Sequence, residues 1–255
     1  MAFTPLSGRG KFQMALRNAA GLPGPMFEIG NQSVVKLGQA EQTYKRPDYT
    51  SIARADRISR RTSISGTLDV TFLELNSANL GVLLSGDEYT QTTSARAEAV
   101  FTPTTIANGD KYWVGAVDVG TLVVKDSAGS PATLVLDTDY SFDDESGMVT
   151  LLDVSGLTGP LKATVTPTAS SYIRMLTASE REYFCVFDGF NTFDTGSPRI
   201  LAGFYRCRVS PTTDFSLITE NDAEFPVTFD LLQDSTKTES GPYGQYGFYK
   251  AWEAA

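Results

Sequence analysis

Apolar and polar residues alternate along several stretches of the chain, and this alternation predicts β-strands. In the clearest stretch, 64–74, an apolar residue or glycine occupies every second position from Ile64 to Phe72. A period of two is typical of a strand with one buried face. Similar patterns predict strands at 34–41, 183–188, 201–209 and 225–231. The chain is therefore predicted to be mainly β.

One short helix, 76–85, is predicted directly after the strand at 64–74. Asn76 is a good N-cap, because its side chain can accept a hydrogen bond from the first helical turn. The apolar side of this helix would carry Leu80, Leu83 and Leu84. Gly86 follows at the position where many helices end in a left-handed residue.

A basic segment, 44–61, precedes the strand at 64–74 and is predicted to be a charged loop. Its acidic residues are Asp48 and Asp56. Its six basic residues are Lys45, Arg46, Arg54, Arg57, Arg60 and Arg61. We expect these side chains to contact another copy of the chain. The alternative is a solvated loop, because exposed charges contribute little to stability.

From 98 to 171 short apolar runs alternate with turn signals, which predicts a separate β-domain inserted into the core. This stretch holds ten acidic residues against three basic ones. Strands are predicted at 119–125, 132–137, 140–142, 148–152 and 161–166. Because strand follows strand without a convincing helix, the insert is expected to be all-β. The core would then be discontinuous, at 31–97 and 172–240.

Both ends of the chain are predicted to lie outside the core. Residues 1–30 are rich in glycine and proline, notably at 21–25, and predict an extended arm. Residues 241–255 are aromatic and glycine-rich, and we interpret them as a docking tail. The candidate contact residues of this tail are Tyr246, Phe248 and Trp252.

Charge is unevenly distributed along the chain. The formal net charge of −9 is made up of +6 for residues 1–61 and −15 for residues 62–255. A protein that grips DNA usually presents a net basic face, so this balance argues against a DNA-binding protein. A basic end and an acidic remainder instead favour head-to-tail self-association, in which unlike surfaces of successive copies meet.

The residue types argue against an enzyme. The chain has no histidine, which removes histidine-dependent triads and most zinc sites. It also lacks a Walker loop and a dinucleotide fingerprint. The carboxylates at 143–145 suit glycoside hydrolysis or calcium binding in residue type alone. They fall on a tight turn where aspartate is favoured for its backbone hydrogen bonds, so we expect no catalytic residue, cofactor or metal.

Cys185 and Cys207 are the only cysteines, and both fall at inward positions of predicted strands. We interpret them as small buried thiols and not as a redox pair. No apolar run approaches the roughly 18 to 20 residues of a membrane span, and the N-terminus lacks the features of a signal peptide. The sequence therefore predicts a soluble protein that is not exported.

Two parts of the chain resemble a known family. The first is the order of basic segment, alternating strand and short helix from 44 to 86. The second is a series of strands in the last third: Tyr183-Phe-Cys-Val-Phe-Asp-Gly-Phe-Asn-Thr192, Phe204-Tyr-Arg-Cys-Arg-Val209, Phe215-Ser-Leu-Ile218, Ala223-Glu-Phe225 and Leu231-Leu-Gln-Asp-Ser-Thr-Lys237. Over 31–86 and 172–240 the chain is similar to the tail tube proteins of siphophage-type phages.

This resemblance implies a β-sandwich with one packed α-helix, decorated on the outside by the insert. It implies a structural protein of the virion tail, assembled in the host cytoplasm, whose hexameric rings stack into a hollow tube. A tape measure protein would fill the lumen during assembly, and DNA would later pass through it. Tail terminator and baseplate or distal tail proteins would cover the ends. The basic segment would reach the next ring or the neighbouring subunit.

A second interpretation is a baseplate or receptor-binding tail protein whose insert binds a cell-surface glycan. Its aromatic residues Phe101, Tyr112, Trp113 and Tyr140 could stack on a sugar, or they could fill the small core of the insert. The two functions differ in one observable property, because only a tube protein polymerises into long hollow filaments.

Overall fold

The computed structural model describes residues 7–50, 56–178, 180–193, 196–210, 218 and 222–252. Within this part of the chain the fold is mainly β with one helix, which confirms the predicted fold class. The strands are β1 Gly8–Leu16, β2 Phe27–Glu28, β3 Gln32–Pro47, β4 Asp56–Phe72, β5 Asp87–Gln91, β6 Ala99–Val100, β7 Lys111–Trp113, β8 Val119–Lys125, β9 Tyr140–Asp143, β10 Met148–Leu151, β11 Lys162–Pro167, β12 Ser170–Arg174, β13 Glu182–Asn191, β14 Arg199–Ser210, β15 Phe225–Leu231 and β16 Gly247–Ala251. The helix, α1, is Ser77–Leu83.

The chain folds as two compact units. Residues 88–172 form the insert unit, and residues 1–87 together with 173–255 form the core unit. The boundary lies ten residues before the predicted start of the insert at 98. Hydrogen bonds tie the intervening residues to the insert unit: Gln91 Nε2 donates to the Val117 oxygen at 2.9 Å, and Arg96 N donates to the Val165 oxygen at 2.8 Å.

One antiparallel sheet, with the strand order β2-β1-β13-β14-β15-β4-β3, forms the core unit. β14 has two partners on the same flank, because β16 pairs with its first half and β15 with its second. Inward side chains of this sheet and of α1 make one buried cluster: Phe12, Met14, Ile29, Leu68, Val70, Phe72, Val82, Leu83, Tyr183, Cys185, Cys207, Phe225, Val227 and Phe229. Most of these positions on β4, β13 and β15 follow the period of two seen in the sequence.

The first strand contradicts the prediction of an N-terminal arm at 1–30. β1 pairs with β13 along its whole length, and Phe12, Met14 and Ala15 are fully buried. The arm was predicted from the glycine and proline residues around β1. The short apolar run within β1 lies between these residues and was given too little weight. Residues 8–16 are therefore part of the core. Among the described residues of this segment, most of the irregular backbone lies after β1, around 18–26 and 29–31.

Helix α1 begins as predicted and ends differently. Asn76 is its N-cap, and Asn76 Oδ1 accepts a hydrogen bond from Asn79 N at 2.8 Å. The left-handed residue after the helix is Ser85, with φ of 46°, and not Gly86. Glycine is needed at position 86 for another reason. The backbone there passes close to Arg174, and a Cβ would overlap the carbonyl oxygen of Arg174.

The insert unit contains two three-stranded sheets, β7-β10-β9 and β6-β11-β8. Four of its five predicted strands correspond to β8, β9, β10 and β11. The predicted strand at 132–137 is wrong, since this segment makes only isolated bridges. Side chains take the place of a strand ladder there: Asp126 Oδ1 accepts from Ala132 N, and Asp139 Oδ2 accepts from Val135 N, both at 2.6 Å.

The two cysteines are small buried thiols, as predicted. Cys185 and Cys207 are fully buried and free. Burial raises the pKa of the Cys185 thiol well above its ordinary value, and a hydrogen bond with Cys207 raises the pKa further. The Cys185 thiol therefore stays protonated and unreactive at neutral pH.

A buried ion pair, which the sequence did not reveal, joins the end of β1 to the segment after β15. Arg17 and Asp234 lie 3.2 Å apart, and their side chains are only 5% and 6% exposed. The Arg17 guanidinium also donates to two backbone carbonyl oxygens at 2.8 Å. Burial alone would raise the pKa of Asp234, but hydrogen bonds from Thr236 and the charges of Arg17 and Lys237 outweigh burial and lower it.

Replacing Arg17 by Met is expected to destabilise the core unit by roughly 3 kcal/mol, because Asp234 would remain buried without its charged partner. Lys11→Met is the matched control on the adjoining strand β1: Lys11 forms an exposed pair with Glu28 at 3.0 Å, and its loss should cost less than about 1 kcal/mol. Urea unfolding at pH 7 measures both, and equal costs would contradict the prediction. Since folding lowers the pKa of Asp234, its contribution is present above the unfolded pKa of about 3.9 and declines as the pH falls through the folded value.

Candidate self-association surfaces

The predicted basic loop at 44–61 is mostly the outer part of a long β-hairpin. β3 and β4 remain paired out to Pro47 and Asp56, so the prediction of a loop is wrong for both flanks. Residues with high strand propensity, such as Thr43, Tyr44 and Ile58, explain why pairing continues into the charged region. Within the turn, Asp48 Oδ1 accepts hydrogen bonds from the backbone and the hydroxyl of Thr50, at 2.8 and 2.6 Å.

The outer hairpin projects beyond the sheet as a two-stranded ribbon. β15 accompanies β4 only from Gly66 to Phe72, so within the described residues β3 is the partner of β4 from 56 to 65. A two-stranded ribbon on its own is at best marginally stable in water. We therefore expect the ribbon, residues 40–47 and 56–65, to pack against another surface.

One face of the ribbon combines apolar and basic side chains. In the register of the hairpin, Tyr44 lies opposite Arg60 and Arg46 lies opposite Ile58, so these four side chains share a face. Tyr44 and Ile58 are 53% and 45% exposed. Tyrosine and arginine are the residue types enriched at protein interfaces and their hot spots. This face has the composition of a contact surface and not of a solvated loop.

The structure places the remaining basic candidates as follows. Lys45 and Arg61 lie on the opposite face of the ribbon, where Lys45 Nζ is 3.3 Å from an Asp56 carboxylate oxygen. Arg54 lies outside the described residues. Arg57 belongs to β4, but its side chain also lies outside the described part of the structure.

A second candidate surface is an open groove of 1210 Å³ on the core unit. The base of the hairpin forms one wall, with Val35, Leu37, Ile64 and Leu68, while β13, β14 and β16 form the other, with Phe187, Ile200, Phe204 and Phe248. Its two walls carry exposed apolar side chains, and an apolar surface of this kind is a candidate interaction site. The groove adjoins the ribbon along the chain, because the base of the same hairpin forms one of its walls.

The C-terminal segment is part of this groove and is not a free docking tail. β16 pairs with the first half of β14, which contradicts the prediction for 241–255. Tyr246 and Phe248 line the groove, and the Phe248 ring lies 5.2 Å from Tyr243 and 6.2 Å from Tyr205.

Trp252 is separate from the groove lining. Its indole ring receives two cations, the Lys250 ammonium at 4.6 Å and the Arg199 guanidinium at 5.6 Å from the ring centroid. Its backbone N–H donates to the Arg199 oxygen at 2.9 Å. Phe248 and Trp252 therefore have ring contacts within their own chain, and Tyr246 and Phe248 also line the groove.

Among the described residues, no group of three or more acidic or cysteine side chains is arranged to hold a metal ion. The carboxylate of Asp143 is part of its own turn: Ser146 Oγ donates to it at 2.6 Å, and this bond and a backbone bond from Ser146 lower its pKa. The described part of the chain also holds no helix with the length and hydrophobicity that crossing a membrane requires.

Comparison with known proteins gives one family. A family model matches residues 5–250, and its description is protein of unknown function UCP028589. The chain belongs to this family. The match extends over both units. No curated protein matches the chain. Because the description of the family states no activity, the function has to be inferred from the surfaces of the molecule.

Proposed function

We propose that this protein is the major tail tube protein of a phage, a structural protein of the virion that self-assembles into stacked hexameric rings. Two lines of argument support the proposal. One is the resemblance of 31–86 and 172–240 to siphophage-type tail tube proteins, and the other is the pair of self-association surfaces on the core unit. The tube would assemble in the host cytoplasm around a tape measure protein. Terminator and baseplate or distal tail proteins would close its ends.

The observation that carries the proposal is the projecting ribbon. Its mixed face of Tyr44, Arg46, Ile58 and Arg60 is exposed, and the adjoining groove is apolar. The ribbon projects from the subunit, and the groove is an open depression on the same subunit. Two different surfaces of this kind favour heterologous contacts, in which one surface of each copy contacts the other surface of the next copy. Heterologous contacts close into rings or extend into filaments, and a tail tube combines both.

The charge distribution supports the same function. The insert unit has eleven acidic residues against four basic ones, and the core unit has nineteen against seventeen. The ribbon is thus a basic region of an acidic protein. We expect it to bind an acidic surface of another copy of the chain. An acidic wall also repels phosphate, so a duplex could slide through a tube of this protein without being held.

Negative-stain electron microscopy of the purified protein tests the proposal. We expect hollow filaments of constant diameter, and ring-shaped particles at concentrations too low for filaments. Sedimentation velocity over the same concentrations should show growth in discrete steps. A protein that remains monomeric across the whole series, with or without added tape measure protein, would overturn the assignment.

Replacing Lys45, Arg46, Arg60 and Arg61 together by Gln is expected to shorten or abolish filaments while leaving the subunit folded. The removed charges lie on the ribbon, where they have few partners in their own chain. Assembly of the wild type should likewise weaken as salt rises, because a Debye length of about 8 Å at physiological ionic strength screens such contacts. Filament lengths measured across a salt series give both results.

The matched control changes the same amount of charge elsewhere, with Lys11, Lys36, Lys125 and Lys162 replaced by Gln. These lysines are at least partly exposed and lie off the outer ribbon. We expect the control variant to form filaments of wild-type length. Equal shortening in both variants would mean that net charge, and not the ribbon, governs assembly.

A further inference from the structure

The outward face of the sheet β7-β10-β9 in the insert unit differs from the rest of that unit. The strand registers place two cross-strand rows of three side chains each on this face. The six side chains concerned are Lys111, Trp113, Ser141, Asp143, Met148 and Thr150. The opposite face of the same sheet supplies Tyr140, Val149 and Leu151 to the buried core. On this face a single tryptophan therefore lies next to Met148, and the other four side chains are polar.

The indole ring of Trp113 is held in place by a hydrogen bond. Its side chain is 55% exposed, and its indole Nε1 donates to the Ala116 oxygen at 3.1 Å. Gly147, with φ of 71°, passes close to this bond, and a Cβ at that position would overlap the Ala116 oxygen. Because the indole N–H is already occupied, the exposed part of the ring can offer only its π surface to a ligand.

The polar side chains around a neighbouring depression are available for hydrogen bonding. The depression measures 360 Å³ and is lined by Lys111, Ser141, Asp143, Met148 and Thr150, together with Phe142. The side chains of Lys111, Ser141 and Thr150 form no hydrogen bond or ion pair within the described part of the chain. Asp143 is fixed by Ser146 and presents carboxylate oxygens as acceptors. Hydrogen-bond donors and acceptors therefore line the same depression as the apolar side chains of Met148 and Phe142.

This combination identifies one class of ligand. We propose that the face binds a neutral glycan, with one pyranose ring stacked on Trp113 and the hydroxyls of the next sugar bonded to Lys111, Asp143 and Thr150. The C–H groups of a pyranose face complement the negative face of an aromatic ring. The surplus of acidic over basic residues in 88–172 disfavours polyanions such as nucleic acid, acidic polysaccharide or an anionic membrane surface.

The structure also decides among the four aromatic residues that the sequence suggested. Tyr140 is buried in the insert core, and Phe101 and Tyr112 pack against it from the side. The Tyr112 and Phe101 rings meet edge to face at 6.4 Å. Only Trp113 is free to stack on a ligand. The inference goes beyond the tail tube proposal and does not depend on it.

Affinity electrophoresis of the full-length protein tests the inference. The native gels contain dextran, galactomannan or mixed-linkage β-glucan as neutral probes, and heparin as the anionic comparison. We expect at least one neutral probe to retard the protein and heparin to leave it unretarded. Trp113→Ala should weaken retardation about tenfold, as loss of an aromatic stacking partner does, while Trp113→Tyr should retain most of it.

Two further variants test the same face without removing the large side chain of Trp113. Thr150→Val and Lys111→Gln keep the shape of the sheet, and each should weaken the binding without changing the circular dichroism spectrum. In a Trp252→Phe background Trp113 is the sole tryptophan, so its fluorescence should shift on titration with the retarding probe. Trp252→Ala is the matched control and should bind as the wild type does.

Several results would overturn the inference. One is the absence of retardation by all three neutral probes. Another is equal retardation of the wild type and Trp113→Ala. Retardation by heparin alone would indicate a polyanion site. A change in sedimentation of Trp113→Ala without a change in retardation would identify the face as a contact between copies. Filament formation by the wild type is measured separately from all of these results, so this inference and the tail tube proposal fail separately.

Discussion

Deleting residues 42–63 and joining Glu41 to Ile64 through an Asn-Gly turn is expected to yield a folded monomer that forms no filaments. Glu41 and Ile64 are register partners, and Asn-Gly suits a two-residue hairpin turn. The deletion removes the outer ribbon but keeps every pairing of β4 with β15, because those pairings begin at Gly66. Sedimentation velocity and negative-stain microscopy measure the expected loss of assembly.

The controls for this deletion separate loss of contact from loss of fold. The circular dichroism spectrum and the urea unfolding of the core unit should resemble those of the wild type, since the ribbon contributes no side chain to the buried core. An excess of the truncated protein should cap growing wild-type filaments, because it keeps the groove but has no ribbon to offer to the next copy. Filaments of normal length from the truncated protein would exclude the ribbon as an assembly element.

Phe12→Ala is expected to destabilise the core unit by about 3 to 5 kcal/mol, the usual cost of removing a buried aromatic side chain. Phe12 is fully buried in the middle of β1. Leu16→Ala is the control on the same strand, because Leu16 is 44% exposed, and it should change the free energy of unfolding by no more than about 0.5 kcal/mol. An extended arm would tolerate both substitutions equally.

Urea unfolding measures this difference, with the two units followed separately. In a Trp113→Phe background Trp252 is the only tryptophan, and it belongs to the core unit. The Trp252 fluorescence then reports the core transition, which need not coincide with that of the insert unit. A shift of the core midpoint in Phe12→Ala but not in Leu16→Ala is the expected result. Identical midpoints would place β1 outside the cooperative core.

The sequence revealed those strands that have one buried face. The bounds predicted for 119–125 and 225–231 agree with β8 and β15. Every second residue of 225–231 is apolar, and 119–125 is a short apolar run between clear turn signals. The same rule fails for the outer hairpin. Both of its faces are exposed, so no hydrophobic period marks it, and its charged residues resemble a loop.

The candidate surfaces were only partly predictable. The sequence indicated which basic residues to examine, but the face shared by Tyr44, Arg46, Ile58 and Arg60 depends on the hairpin register. The groove depends on pairings between distant segments, such as β1 with β13, and no local pattern encodes them. Trp113 and Tyr112 are neighbours in sequence, and their side chains lie on opposite faces of β7. Tyr112 pairs with the buried Val149, which places Tyr112 on the core side and Trp113 on the outward side.

The alignment of four strands at one end of the core sheet determines where the described chain ends emerge. Gly8 lies opposite Asn191, and Phe190 lies opposite Arg199, whose carbonyl oxygen accepts from Trp252 N. Three strand spacings of about 4.8 Å therefore separate residue 8 from residue 252, roughly 14 Å in all. A short linker could span this gap, which makes the core unit a candidate for circular permutation.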